Sequence, residues 1–357
     1  MPQDLLISAD SHVNVHHRDV KRHLDPRFHA DYDEGLATLK QMIMAASKPG
    51  DEDARAAKAK KNAAYGGPGH FQPDARIKDM DLDGVSAEVM YCEVSAYRYL
   101  YKIKHGWKES TRAFNDTLAE FASYDPTRLI TSFQVPIHDI DFAIEEVKRV
   151  TALGGKSLQL PVFPVELGFP DYHDERYDPL WAAIQERGLP ICCHAGVNTN
   201  LDDLMRRDPT PGKAVWSVGI VLSIGEAISM WMCSGVLERF PRLKVVFVEP
   251  GLSWMTWVLW ALDDMAGRQG YEFPGLRELP SFYYRRNIFL TFQDEVFAVE
   301  KLRRELGVEN IMWSTDYPHP VTSWPHSRTV VDEIFRNVPD ADRELMVYGN
   351  AKRVWNL

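Results

Sequence analysis

The chain has 357 residues, a formal net charge of −10 at pH 7 and 45% hydrophobic residues, which is enough for one large domain with a buried core. The negative charge argues against a nucleic-acid partner, because such proteins present clustered lysines and arginines. No apolar run approaches the ~20 residues that span a bilayer. We therefore expect one cytoplasmic domain over residues 1–357, with neither nucleic acid nor membrane as a partner.

Eight strand-like apolar segments alternate with helix-length amphipathic segments, a pattern typical of repeated βα units. The predicted strands are residues 5–9, 87–91, 129–135, 157–160, 189–193, 244–248, 288–291 and 311–315. The predicted helices are residues 107–124, 140–151, 179–187, 215–238, 251–268, 295–306 and 325–335. This alternation predicts a distorted (β/α)8 TIM barrel. A doubly wound dinucleotide fold is the alternative, but no Gly-x-Gly-x-x-Gly follows the first strand.

Residues 14–75 form a long insertion after the first predicted strand. A connection of this length is usually functional or disordered. It leaves the C-terminal end of a strand, which is the end where barrel active sites lie. We therefore expect it to cap the active-site mouth and to help select the substrate.

Several predicted strands end in side chains that bind metals. Asp10 and His12 follow the first strand, His194 follows the fifth and Asp316 follows the eighth. Residues two apart on an extended chain point to the same side, so Asp10 and His12 can converge on one cation. In a parallel barrel all four side chains would meet at one rim. Two imidazoles and two carboxylates suit one divalent ion, with zinc placed first and manganese or iron as alternatives.

The order and spacing of five segments resemble the amidohydrolase superfamily, in the branch of aminocarboxymuconate semialdehyde decarboxylase and the resorcylate decarboxylases. The matching segments are residues 8–13, 79–85, 193–196, 235–244 and 314–320. The resemblance implies that Asp10, His12, His194 and Asp316 hold one metal, with a water or substrate oxygen completing its coordination. The chain departs from many relatives in having Asp10 at the first place of a His-x-His pair. It also has Glu249 where many members carry a histidine after the sixth strand.

Two chemistries are open to such a site. A bound metal lowers the pKa of water to roughly 7, and Asp316 could take the proton and return it to the leaving group. This describes hydrolysis of an ester, amide, thioester or activated carbon–carbon bond. Nonoxidative decarboxylation of an aromatic or unsaturated acid is the alternative, and the missing histidine shifts our expectation toward hydrolysis. A third hypothesis, an inactive barrel serving as a binding module, is disfavoured by the intact ligand set.

Two further residues complete the predicted catalytic group with Asp316. Glu249 could bind the metal, donate a proton or hold a neighbouring side chain. His319 lies three residues beyond Asp316 and could support it.

The predicted substrate contacts are Glu93, Gln159 and Trp254, which follow the second, fourth and sixth strands. Their surroundings indicate a small, apolar or aromatic substrate, although Trp254 could equally pack in a helix core beside Trp257 and Trp260. Apolar helical segments, notably residues 229–236, could form a homodimer face, and burial within one chain would explain them equally well.

Overall fold

The computed structural model describes residues 5–46, 66–92, 98–196 and 201–357. Glu93 lies outside the described residues. Eight strands form one parallel sheet in chain order. They are β1 (Ile7–Val13), β2 (Ala87–Cys92), β3 (Leu129–Gln134), β4 (Ser157–Gln159), β5 (Pro190–His194), β6 (Lys244–Val248), β7 (Ile288–Phe292) and β8 (Ile311–Trp313). The predicted (β/α)8 barrel is therefore confirmed.

The barrel closes between β1 and the segment that follows β8. Ser11 forms a parallel bridge with Tyr317, and the Asp316 N–H donates to the carbonyl of Asp10 at 3.0 Å. The Thr315 N–H donates to the Ser8 hydroxyl at 2.9 Å. Backbone and side-chain hydrogen bonds thus take the place of a long β1–β8 ladder.

The strand β1 differs from its prediction, which ended it at residue 9. It continues to Val13, and its register with β2 shifts between Ser8 and Ser11. Such a bulge leaves one residue unpaired and redirects the side chains around it. Asp10 and His12 therefore lie within an irregular strand, and the simple alternation of an extended chain does not describe this stretch.

The described residues form helices that surround the barrel and extend its rim. They are His17–His23, His29–Ala46, Pro73–Asp83, Trp107–Ala122, Ile140–Ala152, Asp178–Arg187, Asp202–Arg207, Ala214–Cys233, Val236–Arg239, Met255–Arg268, Pro280–Asn287, Arg303–Leu306, Ser327–Ile334, Asp340–Glu344 and Asn350–Trp355. Two π-helical turns, Ala298–Leu302 and Leu345–Gly349, join this set. The predicted helix over residues 215–238 is wrong in its length, because Gly235 is left-handed (φ 78°) and separates two helices. The predicted helix over residues 251–268 begins later, at Met255.

The core has two layers because successive strand residues face opposite sides. On β6, Val246 and Val248 pack in the barrel interior, whereas Val245 and Phe247 pack outward against the helices. Trp355 from the last helix joins the interior cluster, and its indole N–H donates to the Ser157 hydroxyl at 3.1 Å. The interior is therefore a packed core rather than a channel.

The insertion begins with two helices that pack against segments following β2: helix His17–His23 contacts helix Trp107–Ala122, and helix His29–Ala46 contacts the turn Tyr99–Lys102. The hydroxyls of Tyr32 and Tyr99 lie 2.7 Å apart and are buried, and Tyr99 begins a short helical turn soon after β2. This contact brings helix His29–Ala46 to the C-terminal end of the barrel, while residues 47–65 lie outside the described residues. The role of residues 14–75 as a cap stays a prediction.

One helix among the described residues, Ala214–Cys233, is long and apolar enough to cross a membrane by length and composition. Its most apolar window has a mean hydropathy of 1.5, and 28% of that window is buried. The sequence expectation counted unbroken apolar runs, whereas this helix includes glycines, serines and Glu226. The absence of a membrane partner stays a prediction.

A buried ion pair joins helix Pro73–Asp83, which begins at the end of the insertion, to the barrel. The Arg76 guanidinium donates from Nε to Glu88 on β2, and from Nη1 to the carbonyls of His12 at 2.8 Å and Gly69 at 3.2 Å. Its Cζ lies 4.2 Å from the ring centre of Tyr317. Arg76 thus binds β1, β2 and the segment beyond β8 together.

We expect Glu88→Gln to lower the free energy of unfolding by about 3–5 kcal/mol, because it leaves the buried Arg76 charge without a counter-ion. Urea denaturation followed by circular dichroism measures this loss. The control is Asp74→Asn, which breaks the exposed Asp74–Lys78 pair and should change stability by less than ~1 kcal/mol. Equal effects of the two substitutions would contradict the structural role of Arg76.

Candidate metal centre

Six side chains of metal-binding type meet at the C-terminal rim of the barrel. Asp10 and His12 come from β1 and His194 ends β5, while Glu249 follows β6 and the pair Asp316 and His319 follows β8. Three overlapping groups of them place one ligand atom per residue within 4.8 Å of the others. The structure thus brings together every predicted metal ligand and every predicted catalytic residue.

Asp10 and two imidazoles form the buried floor of this site. The Asp10 Oδ1 atom lies 3.5 Å from Nε2 of His194 and 3.9 Å from Nε2 of His12. His194 Nδ1 lies 2.6 Å from the carbonyl of Ala195, a contact that requires the proton on Nδ1. In the neutral imidazole, Nε2 then keeps its lone pair toward the cluster, which is the form that binds a metal.

Asp316 is held by two histidines. Its Oδ1 atom lies 3.0 Å from Nε2 of His12 and 2.8 Å from Nδ1 of His319. Asp316 is fully buried, whereas the His319 side chain is 23% exposed. His319 therefore connects the buried carboxylate with the solvent side of the site.

Glu249 and Asp316 share an unusual backbone conformation. Their φ angles are 57° and 52°, in the left-handed region that few residues other than glycine adopt. Strain of this kind is found preferentially at functional sites. The Glu249 N–H donates to the Thr291 hydroxyl at 3.0 Å, and its carboxylate lies 3.9 Å from Nε2 of His194. Glu249 thus adds a third carboxylate to the cluster.

The donor set fits a divalent cation. Both carboxylate oxygens of Asp10, Oδ2 of Asp316 and Nε2 of His194 are buried and have no hydrogen-bond partner among the residues that the structure describes. Buried polar atoms are normally paired, and leaving a carboxylate unpaired is costly. A cation placed among these oxygen and nitrogen atoms would satisfy them together.

The electrostatics of the site point the same way. Burial alone would lower the pKa of His194, but the carboxylates of Asp10 and Glu249 raise it to about 9. Burial and the neighbouring Asp316 carboxylate raise the pKa of Glu249 to about 8. Burial opposes ionisation of Asp316 too, but hydrogen bonds with His12 and His319 outweigh it and hold its pKa well below its usual range. The site therefore has an excess of negative charge that attracts positive charge.

The predicted substrate contacts are placed less clearly than the ligands. Gln159 is buried on β4, where its Oε1 accepts from Nε2 of Gln134 at 2.8 Å. The Trp254 indole N–H donates to the carbonyl of Pro250 at 2.8 Å, and its ring lies against Gly225. Trp254 is thus half-buried against another helix, so its N–H is already used within the protein.

Sequence reasoning missed two residues that support the ligands from outside the cluster. Arg76 binds the carbonyl of His12. Tyr91 places its ring 5.5 Å from that of His194, and its hydroxyl donates to the carbonyl of Ala9 at 3.2 Å. Arg76 stands in a charged segment and Tyr91 in an apolar strand, so neither carries a sequence signal that distinguishes it from an ordinary surface or core residue.

Comparison with known proteins places this cluster in a family. A family model described as Amidohydrolase matches residues 65–357. The gamma-resorcylate decarboxylase of Polaromonas sp. is 24% identical over 304 residues, which cover 80% of this chain and 87% of that protein.

Two solved structures share the fold. The 5-carboxyvanillate decarboxylase LigW from Sphingomonas paucimobilis has a TM-score of 0.73 and 23% identity, over 99% of this chain and 100% of that one. A dihydroxybenzoic acid decarboxylase from Polaromonas sp., with bound manganese and the inhibitor 2-nitroresorcinol, has a TM-score of 0.72 and 18% identity, over 99% and 98%. Because the family model covers most of the sequence and the barrel agrees with both structures, the chain belongs to the amidohydrolase family, as its motifs indicated.

Proposed function

We propose that the protein is a metal-dependent, nonoxidative decarboxylase of an aromatic carboxylic acid that carries a ring hydroxyl group. The observation that carries the proposal is the buried cluster of unpaired carboxylate and imidazole atoms at the barrel rim. Hydrolysis, which the sequence favoured, could use the same cluster. The name of the Polaromonas relative supports the decarboxylase instead.

Asp10, His12, His194 and Asp316 would hold the metal, and Glu249 offers a further oxygen. A third carboxylate shifts the donor set toward harder oxygen ligands, which suit Mn²⁺ better than Zn²⁺, and manganese is present in one solved relative. We therefore place manganese before zinc. When bound, the metal would hold the substrate carboxylate and hydroxyl oxygens and stabilise negative charge on them.

The reaction needs a proton at the ring carbon that loses the carboxylate. A new C–H bond forms there, the C–C bond breaks, and its electron pair returns to the ring as carbon dioxide leaves. Asp316 is placed to pass this proton on, because it lies within hydrogen-bond distance of both His12 and His319. His319 is partly exposed and would exchange the proton with solvent.

Glu249 and His319 lie on the substrate side of the site. Their side chains are 27% and 23% exposed, while the Asp10 and Asp316 side chains are fully buried. A substrate entering from the rim would meet these two residues first. Glu249 would therefore face the substrate from the position after the sixth strand, where the family resemblance implies a histidine in many members.

We expect manganese-loaded protein to release carbon dioxide from at least one member of a panel of hydroxybenzoic acids. The panel also contains aryl esters and amides, and mass spectrometry follows every compound. Product with one carboxyl group replaced by hydrogen supports the decarboxylase. Addition of water to an ester or amide, without release of carbon dioxide from any acid, would establish the hydrolase.

We expect His194→Ala to weaken Mn²⁺ binding by more than about 100-fold and to abolish turnover, because it removes a direct ligand, and even supporting residues change metal affinity by 10–100-fold. Metal analysis after dialysis measures retention. The control is His29→Ala, since His29 contacts the carbonyls of Lys21 and Leu24, not the cluster. Unchanged metal retention in His194→Ala would remove His194 from the site.

We expect Asp316→Asn to lower kcat by about 100-fold or more, because proton transfer by a positioned group contributes that much. The amide retains an oxygen for the metal, so Mn²⁺ affinity should change less than the rate. Glu249→Gln is the matched comparison, because its amide also keeps an oxygen, and there we expect a smaller loss in kcat since Glu249 does not pass the proton. Full activity of Asp316→Asn would leave that residue a structural role only.

A further inference from the structure

The backbone of Glu249 is held by a side chain of the neighbouring strand. The strand β6 ends at Val248, whose carbonyl accepts from the Ala195 N–H at 2.8 Å. The next N–H along the chain, that of Glu249, donates to the hydroxyl of Thr291 on β7 at 3.0 Å. Glu249 therefore lies beyond the backbone ladder, and its place depends on contacts with the segment that contains Thr291.

Two left-handed residues shape the turn that follows β6. Glu249 and Gly251 have φ angles of 57° and 68°, and Pro250 stands between them. A residue other than glycine keeps such a conformation only where the surrounding structure determines it. Contacts from outside the turn must therefore fix the conformation of Glu249.

The Glu295 carboxylate binds the far end of this turn. Glu295 lies three residues after the end of β7, and its two oxygens accept from the Leu252 N–H at 2.9 and 3.0 Å. Its Oε2 atom also lies 3.4 Å from the Ser253 N–H. The helix that follows, Met255–Arg268, has no acidic residue in its first turn and no side-chain cap at Trp254. Glu295 thus supplies, from another element, the negative charge that a helix N-terminus favours.

We propose that Glu295 is a positioning residue for Glu249: its carboxylate, together with the Thr291 hydroxyl, fixes the turn after β6 so that the Glu249 side chain faces the candidate metal centre. The two anchors lie four residues apart on one segment, and they bind N–H groups three residues apart in the turn. A turn held at both ends has little freedom to rotate. The inference rests on the proposed role of Glu249 in the metal site.

The small tolerance of a metal site explains why this anchoring matters. The Glu249 carboxylate lies 3.9 Å from Nε2 of His194, and it belongs to a group with Asp10 and Asp316 whose ligand atoms lie within 4.8 Å of one another. Groups in such sites must be held within about 0.5 Å of their productive positions. Loss of the Glu295 carboxylate would release one end of the turn, and the left-handed Glu249 would relax with it.

A purely structural role is the alternative, in which Glu295 stabilises the start of helix Met255–Arg268 and nothing else. Asp139 has that role elsewhere in the barrel. Its carboxylate caps helix Ile140–Ala152 by accepting from the Phe142 N–H at 3.0 Å, and it is not one of the six side chains of the candidate metal centre. Asp139 is therefore the matched control for Glu295.

We expect Glu295→Ala to weaken Mn²⁺ binding by about 10-fold or more, because residues that orient metal ligands change metal affinity by 10–100-fold. Isothermal titration of Mn²⁺ into the full chain measures the dissociation constant without turnover. Glu295→Gln keeps an oxygen that can accept from the Leu252 N–H, so it should recover most of the affinity. Asp139→Ala should leave the affinity unchanged.

A double-mutant cycle separates positioning from a general loss of stability. In the Glu249→Ala background, Glu295→Ala should have no further effect on Mn²⁺ affinity, because the side chain that Glu295 positions is absent. An equal effect of Glu295→Ala in both backgrounds would overturn the proposal. So would an unchanged affinity when Glu295→Ala is made in the wild-type chain.

Crystal structures test the inference separately from the proposed function. Should the wild-type protein bind no Mn²⁺, the proposed function fails, and a structure of Glu295→Ala still decides whether Glu295 positions Glu249. Departure of Glu249 from the left-handed region, with its carboxylate moved away from His194, would support the proposal. An unmoved Glu249 would overturn it. Thr291→Val, which removes the hydroxyl at the other end of the turn, gives the same comparison should Glu295→Ala fail to fold.

Discussion

Closure of the barrel between β1 and β8 is the constraint on which the candidate site depends. The same hydrogen bond, from the Asp316 N–H to the Asp10 carbonyl, joins the first strand to the last and fixes two carboxylates side by side. His12 and Asp316 are 304 residues apart in sequence, yet their side chains lie within 3.0 Å. Any change that opens this seam therefore separates the ligands as well as the strands. Stability and metal binding are coupled here through one short stretch of backbone.

The protein brings together several carboxylates where water is largely excluded, and it tolerates this only because other groups offset the charge. Arg76 neutralises Glu88 on β2, and it also donates a hydrogen bond to the carbonyl of His12 on β1. Hydrogen bonds with His12 and His319 stabilise ionised Asp316. Both carboxylate oxygens of Asp10 lack a hydrogen-bond partner among the described residues, which makes Asp10 the position where a cation contributes most. The apo protein should accordingly be less stable than the metal-bound form.

Much of the fold could be predicted because eight apolar segments recur at βα spacing, and parallel strands bring their ends to one rim. The meeting of the candidate ligands Asp10, His12, His194 and Asp316 at one rim followed from that geometry and from the family motifs. The bulge in β1 and the left-handed Glu249 and Asp316 could not be predicted, because they arise from barrel closure between distant segments. The reaction was harder to predict from the sequence than the fold or the candidate site. One missing histidine favoured hydrolysis, whereas the Polaromonas relative is named a decarboxylase. A carboxylate and an imidazole can serve both chemistries.

Trp355 closes the end of the barrel opposite the candidate site, and this has a consequence for how the protein is made. Its contact with Ser157 spans 198 residues, and β8 is the last barrel strand in chain order. On the ribosome, the first seven strands emerge while the residues that complete the interior are still being synthesised or held in the exit tunnel. Long-range contacts of this kind fold slowly, and the incomplete barrel exposes apolar strand surface meanwhile. The incomplete barrel should therefore be prone to aggregation until Trp355 reaches the interior.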